Sequence, residues 1–127
     1  IEDKEYIKNI QKNVMMPGNA KLRHVEIEKR NQELAEAANT LPINRVEMND
    51  TKIGVITSGI PYQYVKEALP EASVLKLGLV NPLPRKLIED FASKVDTLYV
   101  VEELDPVIET QVKSWGIKAI GKEIFTN

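Results

Sequence analysis

Cysteine is absent from this chain of 127 residues. That excludes disulfides, thiolate zinc sites and iron–sulfur ligation by the segment's own residues. Histidine occurs once, at His24. A lone imidazole amid Lys21, Arg23, Glu26 and Glu28 reads as a surface or capping residue, and the sequence places no Ser or Cys nucleophile beside it. No apolar run approaches the ~20 residues that a bilayer-spanning helix needs. Neither sign of charge dominates: 17 basic and 19 acidic residues leave a net charge of −2. With no basic stripe, nucleic acid is not expected as a partner. Neither GxGxxG nor GxxxxGK[ST] occurs, so the loops that cradle dinucleotides and nucleoside triphosphates are missing. Together these absences lead to the expectation of a cytoplasmic protein with no membrane partner. The chain opens on Ile1 rather than Met and reads as a piece of something longer.

What is present has the composition of an ordinary globular domain, with 43% apolar and 28% charged residues. Residues 1–50 are polar and helical in pattern. Tyr6, Ile7 and Ile10 fall at helical spacing, Met15 to Asn19 interrupts the pattern, and a longer helix is predicted from about Ala20 to Ala38. Residues 51–127 alternate strands and helices. Strand 53–58 leads into a helix opened by Pro61, and strand 74–79 into a helix begun at Pro84 with Leu87, Ile88, Phe91 and Val95 inward. Strand 97–102 leads into a helix begun at Asp105-Pro106, with Ile108, Val112 and Trp115 inward. Asp105 is expected to accept from a first-turn N–H, Gly116 to cap the helix end, and residues 117–120 to add a last strand. Strands separated by such helices pair in parallel through right-handed crossovers. The predicted class is therefore α/β: three layers, α/β/α, around a mostly parallel sheet with Rossmann-like connections, plus N-terminal helices. Residues 1–50 are expected to form a helical linker and 51–127 the α/β domain.

Parallel sheets keep their ligand sites at the carboxyl ends of the strands. Here that edge gathers Ser58, Gly59, Val80, Asn81, Glu102 and Glu103. Ser58-Gly59 before a helix could receive an anion at the helix N-terminus, but one Gly is a weak signal and a close turn is the plainer reading. Glu102 and Glu103 could act as acid and base, yet successive strand residues face opposite ways. Asp90, Asp96 and Asp105 are too scattered for a metal site, and each has a turn or helix-end explanation. No catalytic, cofactor-binding or metal-binding residue is assigned on these grounds. Ser58, Gly59, Asn81, Glu102 and Glu103 form instead a candidate edge for docking a neighbouring domain.

Three motifs carry a resemblance: the ITSG turn at 56–59, the LGLVNPLP run at 77–84 and the VVEELDPVIE run at 100–109. In this order and spacing they resemble the transketolase C-terminal-like domain of the alpha subunit of indolepyruvate:ferredoxin oxidoreductases. The stretch from Met16 to His24 resembles a linker of that subunit. The resemblance implies a transketolase C-terminal-domain-like fold within a thiamine diphosphate enzyme. Such an enzyme oxidatively decarboxylates 2-oxo acids, here aryl pyruvates, to acyl-CoA and passes electrons to ferredoxin. It further implies magnesium and 4Fe-4S clusters in the parent enzyme, and as partners a beta subunit and other domains of the same chain. The Gly-Asp…Asn diphosphate motif and the cysteines of that family have no counterpart here. The isolated fragment is therefore expected to bind no cofactor, to be inactive and to brace the catalytic domains. A free-standing small-ligand or nucleotide-binding α/β module is the alternative. A receiver-like signalling domain is disfavoured, since no acidic cluster ends the first strand.

Overall fold

Proline at position 17 opens a helix where the sequence pattern suggested a break. Pro has no N–H to offer, but the first turn of a helix leaves its N–H groups unpaired in any case. The computed structural model, which describes residues 3–124, accordingly begins with α1 (Ile10–Asn13) and then α2 (Pro17–Ala38). The single turn of α1 is capped by Asn9, whose Oδ1 accepts from the Lys12 amide at 2.9 Å. The chain divides into two compact units, Ile1–Glu33 and Leu34–Asn127.

The second unit holds the sheet. Its strands are β1 (Arg45–Glu47), β2 (Asp50–Ser58), β3 (Ala72–Leu77) and β4 (Thr97–Val101), in the spatial order β1-β3-β2-β4. β2 pairs in parallel with both β3 and β4, and β1 lies antiparallel on the outer side of β3. Between them run α3 (Pro61–Ala68), α4 (Arg85–Ala92) and α5 (Val107–Ser114).

Alternation along the strands separates two apolar layers. Ile56, Leu75, Leu77, Leu98 and Val100 pack with Ile88 and Phe91 of α4 and with Ile108 and Val112 of α5. Val55 and Val74 point the other way, toward Val65 of α3. Helices thus cover both faces, as buried parallel strands require. Phe91 and Ile88 are fully buried, and the partly buried Leu87 and Val95 pack against the same cluster, which places the inward stripe where the spacing predicts it.

Three local expectations change. Residues 45–47, within the span expected to be helical extension, form a strand of the sheet. The expected strand at 117–120 shrinks to one bridge, in which Ile120 donates to the Leu98 carbonyl and accepts from the Val100 amide, both at 2.8 Å. It stops there because the chain turns at once toward α5, where the Glu109 carboxylate accepts from the Lys122 amide at 2.9 Å. Gly121 lies so close to that carboxylate that a Cβ would collide with it. Lastly, no side-chain hydrogen bond from Asp105 caps α5; its backbone carbonyl accepts from Val107 instead. Gly116 does end α5, at φ 81.

Candidate functional site: the carboxyl edge of the sheet

Because β2, β3 and β4 are parallel, Ser58, Leu77 and Val101 all end on one edge, and three loops rise from it. The loop after β2 turns at Gly59, whose φ of 60 is a left-handed conformation that glycine adopts without steric cost. Pro61 then starts α3. Ser58 is half-buried and Gly59 exposed.

The loop after β3 is held by a residue to which the sequence pattern draws no attention. Asn44 is 8% exposed. Its Nδ2 donates to the Ala38 carbonyl at 2.8 Å, and its Oδ1 accepts from the Gly78 and Leu79 amides at 2.9 and 3.0 Å. One side chain thus ties the end of α2 to the start of the LGLVNPLP run. A second asparagine works alongside: Asn39 Oδ1 accepts from the Leu87 amide at 3.2 Å. Asn81 is exposed on this loop.

The loop after β4 is held by Glu102. Its two carboxylate oxygens accept from the Ile108 and Glu109 amides of α5 at 2.8 and 2.9 Å. These are unpaired donors of a first helical turn, and negative charge there is favoured by the helix dipole. Lys122 Nζ donates to the Glu102 carbonyl at 2.9 Å. Glu102 is therefore engaged as a cap, whereas Glu103 beside it is exposed.

Two polar clusters lie off this edge. On the α3 side, Tyr62 Oη donates to Glu47 at 2.8 Å and Lys66 pairs with the same carboxylate at 3.2 Å. The Tyr62 hydrogen bond, aided by Lys66, holds Glu47 below the usual carboxylate range, and Glu47 in turn raises Tyr62. Arg45 and Lys76 lie 5.6 and 5.1 Å from the Tyr62 ring centroid. Beyond α5, Lys113 Nζ bridges Glu109 at 2.6 Å and Glu123 at 2.9 Å. That contact is the main cause of a Glu123 pKa of about 2, and Lys113 is raised, chiefly by Glu109.

Among the described residues, no group of three or more His, Asp and Glu is placed to hold a metal ion. His24 pairs with Glu28 at 3.4 Å on the open surface of α2. Thr57 Oγ1, buried beside the edge, has no hydrogen-bond partner among the described residues. A cavity of about 240 Å³ opens at the opposite, amino edge, between Ile53, Leu69, Pro70 and Ala72. No helix among the described residues is long and apolar enough to cross a membrane.

No protein-family model matches the chain. Curated relatives do. Indolepyruvate oxidoreductase subunit IorA of Pyrococcus horikoshii is 39% identical over 115 residues, which is 86% of this chain and 18% of that protein. The subunit of the same name from Pyrococcus abyssi is 37% identical over 127 residues, 94% of this chain and 20% of that protein. That from Archaeoglobus fulgidus is 35% identical over 121 residues, 91% of this chain and 19% of that protein. Over most of its length, this segment is similar to one stretch of the IorA subunits. The chain spans about a fifth of the length of the IorA relatives it matches. The fold recurs in a solved 2-oxoglutarate:ferredoxin oxidoreductase from Magnetococcus marinus, with a TM-score of 0.57 at 19% identity, covering 84% of this chain and 20% of that one. That likeness concerns the fold alone.

Proposed function

We propose that this chain is a non-catalytic domain of a thiamine diphosphate-dependent 2-oxo acid:ferredoxin oxidoreductase acting on indolepyruvate and other aryl pyruvates. The observation that carries the reading is the identity of 35–39% to IorA subunits over most of the chain. In the parent enzyme, thiamine diphosphate with magnesium would supply the decarboxylation chemistry and iron–sulfur clusters the electron path to ferredoxin. The residues present here do not fit those groups. There is no cysteine for a cluster, and no carboxylate group among the described residues is gathered for magnesium. The domain's part is to brace. Its carboxyl edge, with Ser58, Gly59, Asn81 and Glu103 on loops stiffened by Asn44 and Glu102, is a docking surface for other domains of the same chain or for a beta subunit.

Thermal melts with thiamine diphosphate and magnesium, ATP, NAD or Coenzyme A in excess test this reading. A ligand at 100 times its dissociation constant stabilises by ~2.7 kcal/mol, a visible shift. The expected result is an unchanged melting temperature with each of them. A rise of several degrees with any one would favour a ligand-binding module over the brace.

A further inference from the structure

Leu104 is 90% exposed, at the tip of the loop between β4 and α5. It also has a φ of 54, which no other described residue except glycine shares in sign. Leucine in the left-handed region is strained, because its Cβ crowds the carbonyl that follows. A fully exposed aliphatic side chain on a strained backbone contributes nothing to the core, and glycine would suit the position better. The loop is nevertheless fixed from both sides. Glu102 caps α5 through two backbone amides, Lys122 holds the Glu102 carbonyl, and the Asp105 carbonyl accepts from Val107. The backbone is therefore held so that the Leu104 side chain stands out from the edge into solvent. Exposed aliphatics also stand on the two neighbouring loops of the edge, Ile60 after β2 and Val80 after β3. Glu103 and Asp105 flank Leu104, are exposed, and form no ion pair among the described residues.

We infer that Leu104 is the anchor of a protein–protein contact, inserting into an apolar socket rimmed by lysine or arginine on the partner surface. The chemistry selects this occupant. Paired acidic flanks repel the phosphates of lipid headgroups and nucleic acids, so a protein bearing complementary positive charge is the partner that gains from both the aliphatic tip and its rim. Interface hot spots fill well-packed pockets whose surrounding contacts exclude water, and an apolar socket with a charged rim would give Leu104 that setting. This inference rests on the reading of the carboxyl edge as a docking surface.

The test uses the protein in its native assembly, with the photo-crosslinker benzoylphenylalanine at position 104, at Asn81 on the same edge, and at the exposed Tyr64 on α3 as control. Crosslinked peptides are identified by mass spectrometry at low and high salt. The expected result is a yield from position 104 at least ~10-fold above the control, into a segment that contains Lys or Arg next to apolar residues, and falling as salt screens the rim. Crosslinking at 81 but not at 104 overturns the anchor and leaves the edge standing. Background yield at both positions overturns the two together. Crosslinks from 104 into neutral or acidic segments, unaffected by salt, overturn the charged rim. Leu104→Gly supplies the second readout. It is expected to leave the melting temperature unchanged or raised, since it relieves the strained φ, while destabilising the assembly. Loss of fold in that variant would show that Leu104 serves the domain's own structure instead.

Discussion

Asn44→Ala is the most direct trial of how the carboxyl edge is held. The side chain makes three hydrogen bonds, one to the Ala38 carbonyl and two from the Gly78 and Leu79 amides. At a net worth of ~1 kcal/mol each, their loss costs about 3 kcal/mol. Two further effects pull in opposite directions. The Ala38 carbonyl belongs to a fully buried residue and is left without this partner, which adds to the cost. The Gly78 and Leu79 amides lie in a partly exposed loop and can turn to water, which lowers it. The expected loss is ~2–4 kcal/mol. In urea, at a slope of ~1.5 kcal/mol per molar, the unfolding midpoint of the chain should fall by about 2 M with the slope unchanged. Hydrogen exchange should accelerate first at Gly78 and Leu79 while the Val74 and Leu75 amides of β3 follow only the global change. A midpoint shift below ~0.4 M, worth roughly half a kcal/mol at that slope, would refute the idea that Asn44 fastens the loop.

Phe91→Ala should cost ~3–5 kcal/mol through lost burial and a residual cavity, and an unchanged denaturation midpoint would put the inward face of α4 elsewhere. Glu102→Ala should cost ~0.5–2 kcal/mol as the loss of a helix cap, with faster exchange of the Ile108 and Glu109 amides; equal exchange in the variant and the parent would remove Glu102 from that role. Glu123, with a folded pKa of about 2 against an ordinary 4.5, stabilises the fold fully above the higher value, and that contribution fades as pH falls toward the lower one. Glu123→Gln should therefore flatten the acid limb of the stability profile between those limits, and superimposable profiles would show that the Lys113 contact is screened away.

Much of the fold follows from local periodicity, and that much is legible in the chain itself. Continuous apolar runs make β2 and β3 strands buried on both faces, and a stripe with period 3.6 puts Ile88 and Phe91 inward. Gly59 and Gly116 sit at the turns where φ is positive. The absence of cysteine is a matter of composition, and it removes thiolate chemistry however the chain folds. β1 was not legible, because a run of three residues with a single apolar side chain is too short to show a period, and it becomes a strand only by pairing with β3, some thirty positions further on. The cap of α5 was misplaced for a related reason. Local rules choose Asp105 beside the helix start, but the backward bend of the loop at Leu104 lets Glu102 reach the free amides. Asn44 looks in sequence like any turn-forming asparagine, and its three bonds exist only because the end of α2 and the loop after β3 meet around it. Periodicity is a property of neighbours along the chain. Which donor meets which acceptor across a separation of 34 positions, as between Asn44 and Gly78, is decided when the sheet closes.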